Sequence, residues 1–209
     1  MGSCTSKDVT LDNQGFNPFH KDEMKPALQR FCKALEFQER ESPNSLDVAN
    51  SYNHIGWVLQ DQGDLEGALK EYRKALEIEE CEAPNSLTVA TSYYNIGWVL
   101  KVQGDLEGAL KECCKALEIQ EGESPNSLDV ANPYNNIGSP LQDQGDLEGA
   151  LKEYCKALEI RERKVPNSLT VAMSYSNIGS VLQDQGELEG ALKEYRKALE
   201  IKEVRPPIP

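Results

Sequence analysis

The apolar positions of this chain recur at helical spacing. Leu46, Ala49, Tyr52, Ile55, Gly56 and Leu59 form one stripe, and after Gly63 a second follows in Leu65, Ala68, Leu69, Tyr72, Ala75 and Leu76. The two stripes predict a pair of helices. Asn44 or Ser45 can cap the first, because a short polar side chain accepts from the free N–H groups of an opening turn. Gly63 can end that helix, since a positive φ costs glycine nothing. Asp64 can cap the second helix, and Pro84 marks its stop. Gly56 and Ala68 are small and lie mid-stripe, which predicts close backbone approach between the paired helices.

The pattern returns every 41 residues: Pro-Asn-Ser-Leu starts at Pro43, Pro84, Pro125 and Pro166. Gly-Asp/Glu-Leu-Glu-Gly-Ala-Leu-Lys-Glu starts at Gly63, Gly104, Gly145 and Gly186, and Lys-Ala-Leu-Glu already appears at Lys33. The predicted organisation is therefore a flexible lead (1–21), an orphan second helix (22–42), four repeats (43–83, 84–124, 125–165 and 166–205) and a tail (206–209). Ala27, Leu28, Phe31, Ala34 and Leu35 of the orphan helix should face the first repeat. Pro133 and Pro140 interrupt the first helix of the third repeat, and two interior prolines should kink or melt residues 132–140. At the far end, Leu188, Ala191, Leu192 and Tyr195 should be exposed, since no capping helix is read after them.

The spacing Tyr52, Ile55, Gly56, Leu59, Gly63, Leu65, Ala68, Tyr72, Ala75 resembles the signature of the tetratricopeptide repeat. The extra residues after the second helix resemble the longer repeat of kinesin light chains and nephrocystin-3, with Glu80, Glu121, Glu162 and Glu203 where the shorter form closes on proline. The resemblance implies an all-α, right-handed superhelical solenoid of antiparallel helix pairs. It also implies a non-enzymatic scaffold that binds an extended peptide in a concave groove lined by the first helices.

On that resemblance the sixth consensus position holds His54, Asn95, Asn136 and Asn177, where an amide can both donate to and accept from a peptide backbone. Neighbouring columns place Asn53, Tyr94 and Asn135, then Trp57 and Trp98, in the same groove. Family members that grip a terminal carboxylate use a Lys/Arg/Asn clamp. The matching positions here, Asn53, Trp57, Asn95, Asn132 and Asn136, carry no cation, and that mode is disfavoured. Acidic cargo peptides are disfavoured for the same reason.

Charge sharpens the partner. The 209 residues carry 22 Lys and Arg against 35 Asp and Glu, a net charge of −13. Such an excess excludes phosphate-backbone recognition and docking on anionic lipid by charge alone. The acid concentrates on the first full repeat, in Glu77, Glu79, Glu80 and Glu82, where it could steer a basic segment. A neutral or basic protein or peptide is the expected partner, with self-association through uncapped ends as an alternative.

No nucleophile motif, phosphate loop or metal-ligand spacing occurs, so neither catalysis nor a cofactor or metal is expected. Cys32, Cys114 and Cys155 share a column about 10 Å apart per repeat, beyond disulfide reach, and Cys113 takes a core tyrosine position. The sequence opens without a secretory signal, so the six cysteines read as reduced thiols of a cytoplasmic protein. Met1-Gly2-Ser3-Cys4-Thr5-Ser6 fits an N-myristoylation pattern at Gly2 with a palmitoylation candidate at Cys4. An acylated adaptor at the cytoplasmic face of a membrane is therefore a further alternative.

Overall fold

A computed structural model describes residues 24–123 and 127–204. The lead, the tail, Pro125 and the acylation candidates Gly2 and Cys4 lie outside the described residues. The described chain is all α, with helices α1 (Met24–Glu41), α2 (Leu46–Asp61), α3 (Leu65–Glu82), α4 (Leu87–Val102), α5 (Leu106–Glu123), α6 (Ala131–Gln144), α7 (Leu147–Lys164), α8 (Leu169–Asp184) and α9 (Leu188–Val204). Each packs on its neighbours in chain order, most extensively within the pairs α2/α3, α4/α5, α6/α7 and α8/α9.

Local chemistry sets the boundaries as the pattern predicts. Ser45, Ser86 and Ser168 cap α2, α4 and α8, and Asp64 and Asp146 cap α3 and α7 through the N–H of Gly67 and Gly149. Asn44 is not the cap. Its counterparts Asn85 and Asn167 instead take positive φ, 68° and 60°, in the turn before each capping serine. Asparagine tolerates this conformation better than most residues. Gly63 and its three equivalents turn between paired helices at φ of 83° to 86°.

Gly56 corrects one expectation. A Cβ there would stand 2.8 Å from ring carbons of Tyr72, so the glycine makes room for a tyrosine ring rather than for backbone. Gly138 and Gly179 do the same for Tyr154 and Tyr195. The hydroxyls of Tyr72, Tyr154 and Tyr195 donate to Gln60, Gln142 and Gln183 of the paired helix.

Successive pairs are held by a repeated clasp. Tyr52, Tyr93, Tyr134 and Tyr175 each donate a hydroxyl to a glutamate of the preceding helix, Glu39, Glu80, Glu121 and Glu162. A lysine of the following helix lies over each ring, 4.6 to 4.8 Å from the centroid. That lysine is anchored three residues back, as in Lys74–Glu71 at 2.9 Å. Glu80, Glu121 and Glu162 stand where the shorter repeat that this one resembles closes on proline. Their carboxylates tie one repeat to the next.

The third repeat departs from the expected break. α6 is continuous from Ala131 to Gln144, with Pro140 inside it, and a 3-10 turn over Leu128–Val130 replaces the first turn found in other repeats. Pro133 is thereby the third residue of the helix, where the N–H has no intrahelical acceptor to lose. Ser127 now accepts from the N–H of Asp129, two residues on, instead of three.

The ends are also adjusted. Ala34 is exposed rather than packed, whereas Ala27 is buried. Ala191 is buried and Tyr195 half-buried, so the bare stripe of α9 consists of Leu188, Leu192 and Leu199, at 61%, 55% and 54% exposure. Their counterparts Leu147, Leu151 and Leu158 are covered by α8 and its neighbours.

Candidate functional site

The first helices α4, α6 and α8 share a depression of about 260 Å³. Tyr94, Trp98 and Lys101 come from α4, Asn135, Asn136, Ser139 and Pro140 from α6, and Asn177 from α8. Gly97, Ala109, Cys113 and Tyr154 complete its lining. Of the predicted groove residues, the fold therefore gathers Tyr94, Trp98, Asn135, Asn136 and Asn177 in one place. Trp98 is 37% exposed at its edge.

The others lie elsewhere. His54 stacks on Phe31 of α1, ring centroids 4.9 Å apart, and burial pushes its pKa down. Asn95 and Trp57 are half-buried and do not line the depression. Asn53 spends its amide within the array, donating to Glu79 at 2.9 Å and accepting from Ser92 at 3.2 Å.

That last contact belongs to a buried polar column between repeats, occupied by Gln38, Glu79, Gln120 and Arg161. Each faces a serine of the next first helix where one exists. Ser51 donates to Gln38 at 2.6 Å. Arg161, only 4% exposed, donates to Ser174 at 2.7 Å and to Asn132 at 2.9 Å. Turned with its oxygen toward the guanidinium, Asn135 accepts from both terminal nitrogens, at 2.7 and 2.9 Å. Asn135 is thus committed to repeat packing as well as lining the depression. Opposite Gln120 the serine is replaced by Pro133, and the buried Oε1 of Gln120 has no partner.

Glu79 is 1% exposed and its Oε2 is likewise without a partner. Burial raises its pKa, against the opposing hydrogen bonds from Ser92 and Asn53. Glu79 and Glu80, predicted to attract a basic ligand, are therefore used inside the array: one is buried and the other holds Tyr93. A raised carboxyl pKa means stability that is full below the unfolded value, near 4.5, and is lost as pH rises through the folded value. Glu79→Gln, which installs the residue found at 38 and 120, is expected to raise stability at pH 7 by about 1–2 kcal/mol. The gain should shrink toward pH 4 in parallel thermal melts.

Charge around the depression is muted. Lys101, the single cation of these first helices from Leu46 onward, ion-pairs with Asp143 at 3.1 Å and donates to Ser139 at 2.5 Å. Gln142 repeats the arrangement one step on, reaching Ser180 at 3.0 Å and Asp184 at 2.6 Å. Among the described residues no group of three or more His, Cys, Asp or Glu is placed to hold a metal, and no helix is long and apolar enough to cross a membrane. The described cysteines are free, four exposed and Cys113 buried, with its thiol pushed up to about 12 by desolvation.

Paired helices, a 41-residue period and a shared first-helix face are features that a family profile can test. The tetratricopeptide repeat profile matches residues 9–80, 47–122, 88–163 and 129–203. The chain belongs to the tetratricopeptide repeat family. Among solved structures, BtubC (BKLC) from P. vanneervenii is similar at a TM-score of 0.78 and 24% identity, covering 90% of this chain and 77% of that one. The nearly identical TPR-like repeats of a Podosopora anserina putative kinesin light chain match at 0.73 and 11%, covering 87% and 88%. MamA matches at 0.60 and 20%, covering 88% and 96%. At these identities the likeness establishes the fold, a tetratricopeptide solenoid. Comparison with curated protein sequences gave no match.

Sequence reasoning found the amide and aromatic columns, Ser139 in the tryptophan column among them, but missed Cys113, Pro140 and Tyr154 as lining. Cys113 and Pro140 depart from what their columns hold in the other repeats. Those departures were the available signal.

Proposed function

We propose that this protein is a non-enzymatic interaction scaffold that holds an extended peptide or partner segment along its first helices, with the depression between α4, α6 and α8 as the principal contact. One observation carries the reading: side chains of three successive repeats converge there on one cavity, with three amides and three aromatic rings among them. Asn136 and Asn177 can pair with a peptide backbone, while Tyr94 and Trp98 supply apolar contact of the kind that dominates interfaces. The partner is neutral or basic, because the one cation at the site is already neutralised by Asp143 and acids outnumber bases along these helices. Repeat arrays use this kind of continuous face to bind partners.

Affinity capture from the native cell tests it. Wild type should retain partners that the triple variant Trp98→Ala/Asn136→Ala/Asn177→Ala loses, with helical circular dichroism unchanged. Equal retention of every partner by the folded variant sinks the assignment. A competing reading, self-association, is favoured by the exposed Leu188, Leu192 and Leu199 of α9. Sedimentation at several concentrations separates it, since a strict monomer removes that reading.

A further inference from the structure

The depression occupies a place where one repeat has exchanged its aromatic ring. In the first, third and fourth repeats the first helix carries a small polar residue and the second a tyrosine: Asn53 with Tyr72, Asn135 with Tyr154, Ser176 with Tyr195. The second repeat reverses the pair, with Tyr94 on the first helix and Cys113 on the second. At Gly97 a Cβ would meet the Cys113 sulfur at 2.9 Å, where the other three repeats place a ring. The glutamine that would accept from that ring's hydroxyl is also changed, to Lys101, which turns instead to Ser139 and Asp143. The neighbouring column has lost a ring as well, since Ser139 follows Trp57 and Trp98. These changes leave a thiol floor between aromatic walls.

Two further features leave hydrogen-bonding groups at the border of this space. Pro140 has no N–H, so α6 gives the Asn136 carbonyl no donor from the i+4 position. The amides of Asn136 and Asn177 border the same cavity. At about 260 Å³ the cavity lies just under the roughly 300 Å³ at which pockets begin to hold a whole drug-sized ligand. It is of the size for one side chain.

We propose that the ring exchange at Tyr94 and Cys113 makes this cavity an anchor pocket for a single large, uncharged apolar side chain of the bound segment. Its backbone is held by Asn136 and Asn177, and the segment's register on the array is fixed at the boundary of the second and third repeats. The inference rests on the groove reading and specifies its ligand. The neutralised Lys101, with the Asp143 carboxylate beside it, favours a neutral or basic flank.

The test uses a phage-displayed library of random dodecapeptides, panned against the full chain. Enriched peptides should share one Leu, Ile, Met, Phe or Trp without an acidic flank. The double variant Tyr94→Asn/Cys113→Tyr restores the arrangement of the other repeats and refills the cavity. It should bind those peptides at least ten-fold more weakly while keeping the wild-type helical spectrum. If the double variant misfolds, Trp98→Ser, the residue found at 139 and 180, removes one wall and should also weaken binding. Phe37→Ala, at an exposed position of α1, should not. Undiminished binding by the folded double variant, or by Trp98→Ser in its place, overturns the pocket. The groove reading survives that result if Asn136→Ala/Asn177→Ala still abolishes binding. No enrichment on wild type overturns the groove reading itself.

Discussion

Tyr72→Ala should cost about 4 kcal/mol, the largest loss expected of a single truncation in this array. Tyr72 is fully buried, its ring lies on Gly56, and its hydroxyl donates to Gln60 at 3.0 Å. Truncation removes the contact of a large ring and leaves a cavity that two packed helices cannot close. Tyr195→Ala should cost distinctly less, because the same ring in the fourth repeat is only half-buried. Gly56→Ala alone should also destabilise, by about 1–3 kcal/mol, since its Cβ would strike the ring. The Gly56→Ala/Tyr72→Ala double variant should lose less than the sum, because the added methyl enters vacated space. Chemical denaturation of the four proteins checks the cycle, and strict additivity would contradict the packing described.

Arg161 carries the second large effect. Its guanidinium is buried against Ser174, Asn132 and Asn135, all neutral, and desolvation lowers its pKa only to about 10, so it stays charged at neutral pH. Hydrogen bonds from a charged donor are worth about 1.5–3 kcal/mol, and their loss strands three polar side chains at once. Arg161→Ala should therefore cost about 3 kcal/mol, felt as faster hydrogen exchange at the α7/α8 boundary. Arg161→Met restores volume without donors and should recover only part of the loss. Arg161→Gln, the residue at 38 and 120, should recover more. A methionine variant as stable as wild type would show that volume, not the hydrogen bonds, matters there.

The residues that define this fold were legible because they recur. Ser45 and Gly63 recur at every step of 41, and Asp64 and Tyr72 at all but one, and a period exposes a common role. What one sequence could not show is which column meets which in the next repeat. Glu79 and Asn53 stand 26 residues apart and looked like a surface acid and a groove amide, yet they bond to each other across two helices. Pro133 looked disruptive because helix starts are legible only to within a few residues, and a start three residues later made it harmless. The Tyr94–Cys113 exchange was visible in the sequence as two unrelated departures. Only the packing of α4 on α5 makes them one change.

Hydrogen exchange on the scaffold bound to a captured partner tests the central claim most directly. Bound protein should show slowed exchange along α4, α6 and α8 around Trp98, Asn136 and Asn177, with α9 unaffected. Slowing confined to α9 around Leu188, Leu192 and Leu199, with α4 and α6 unchanged, would contradict it.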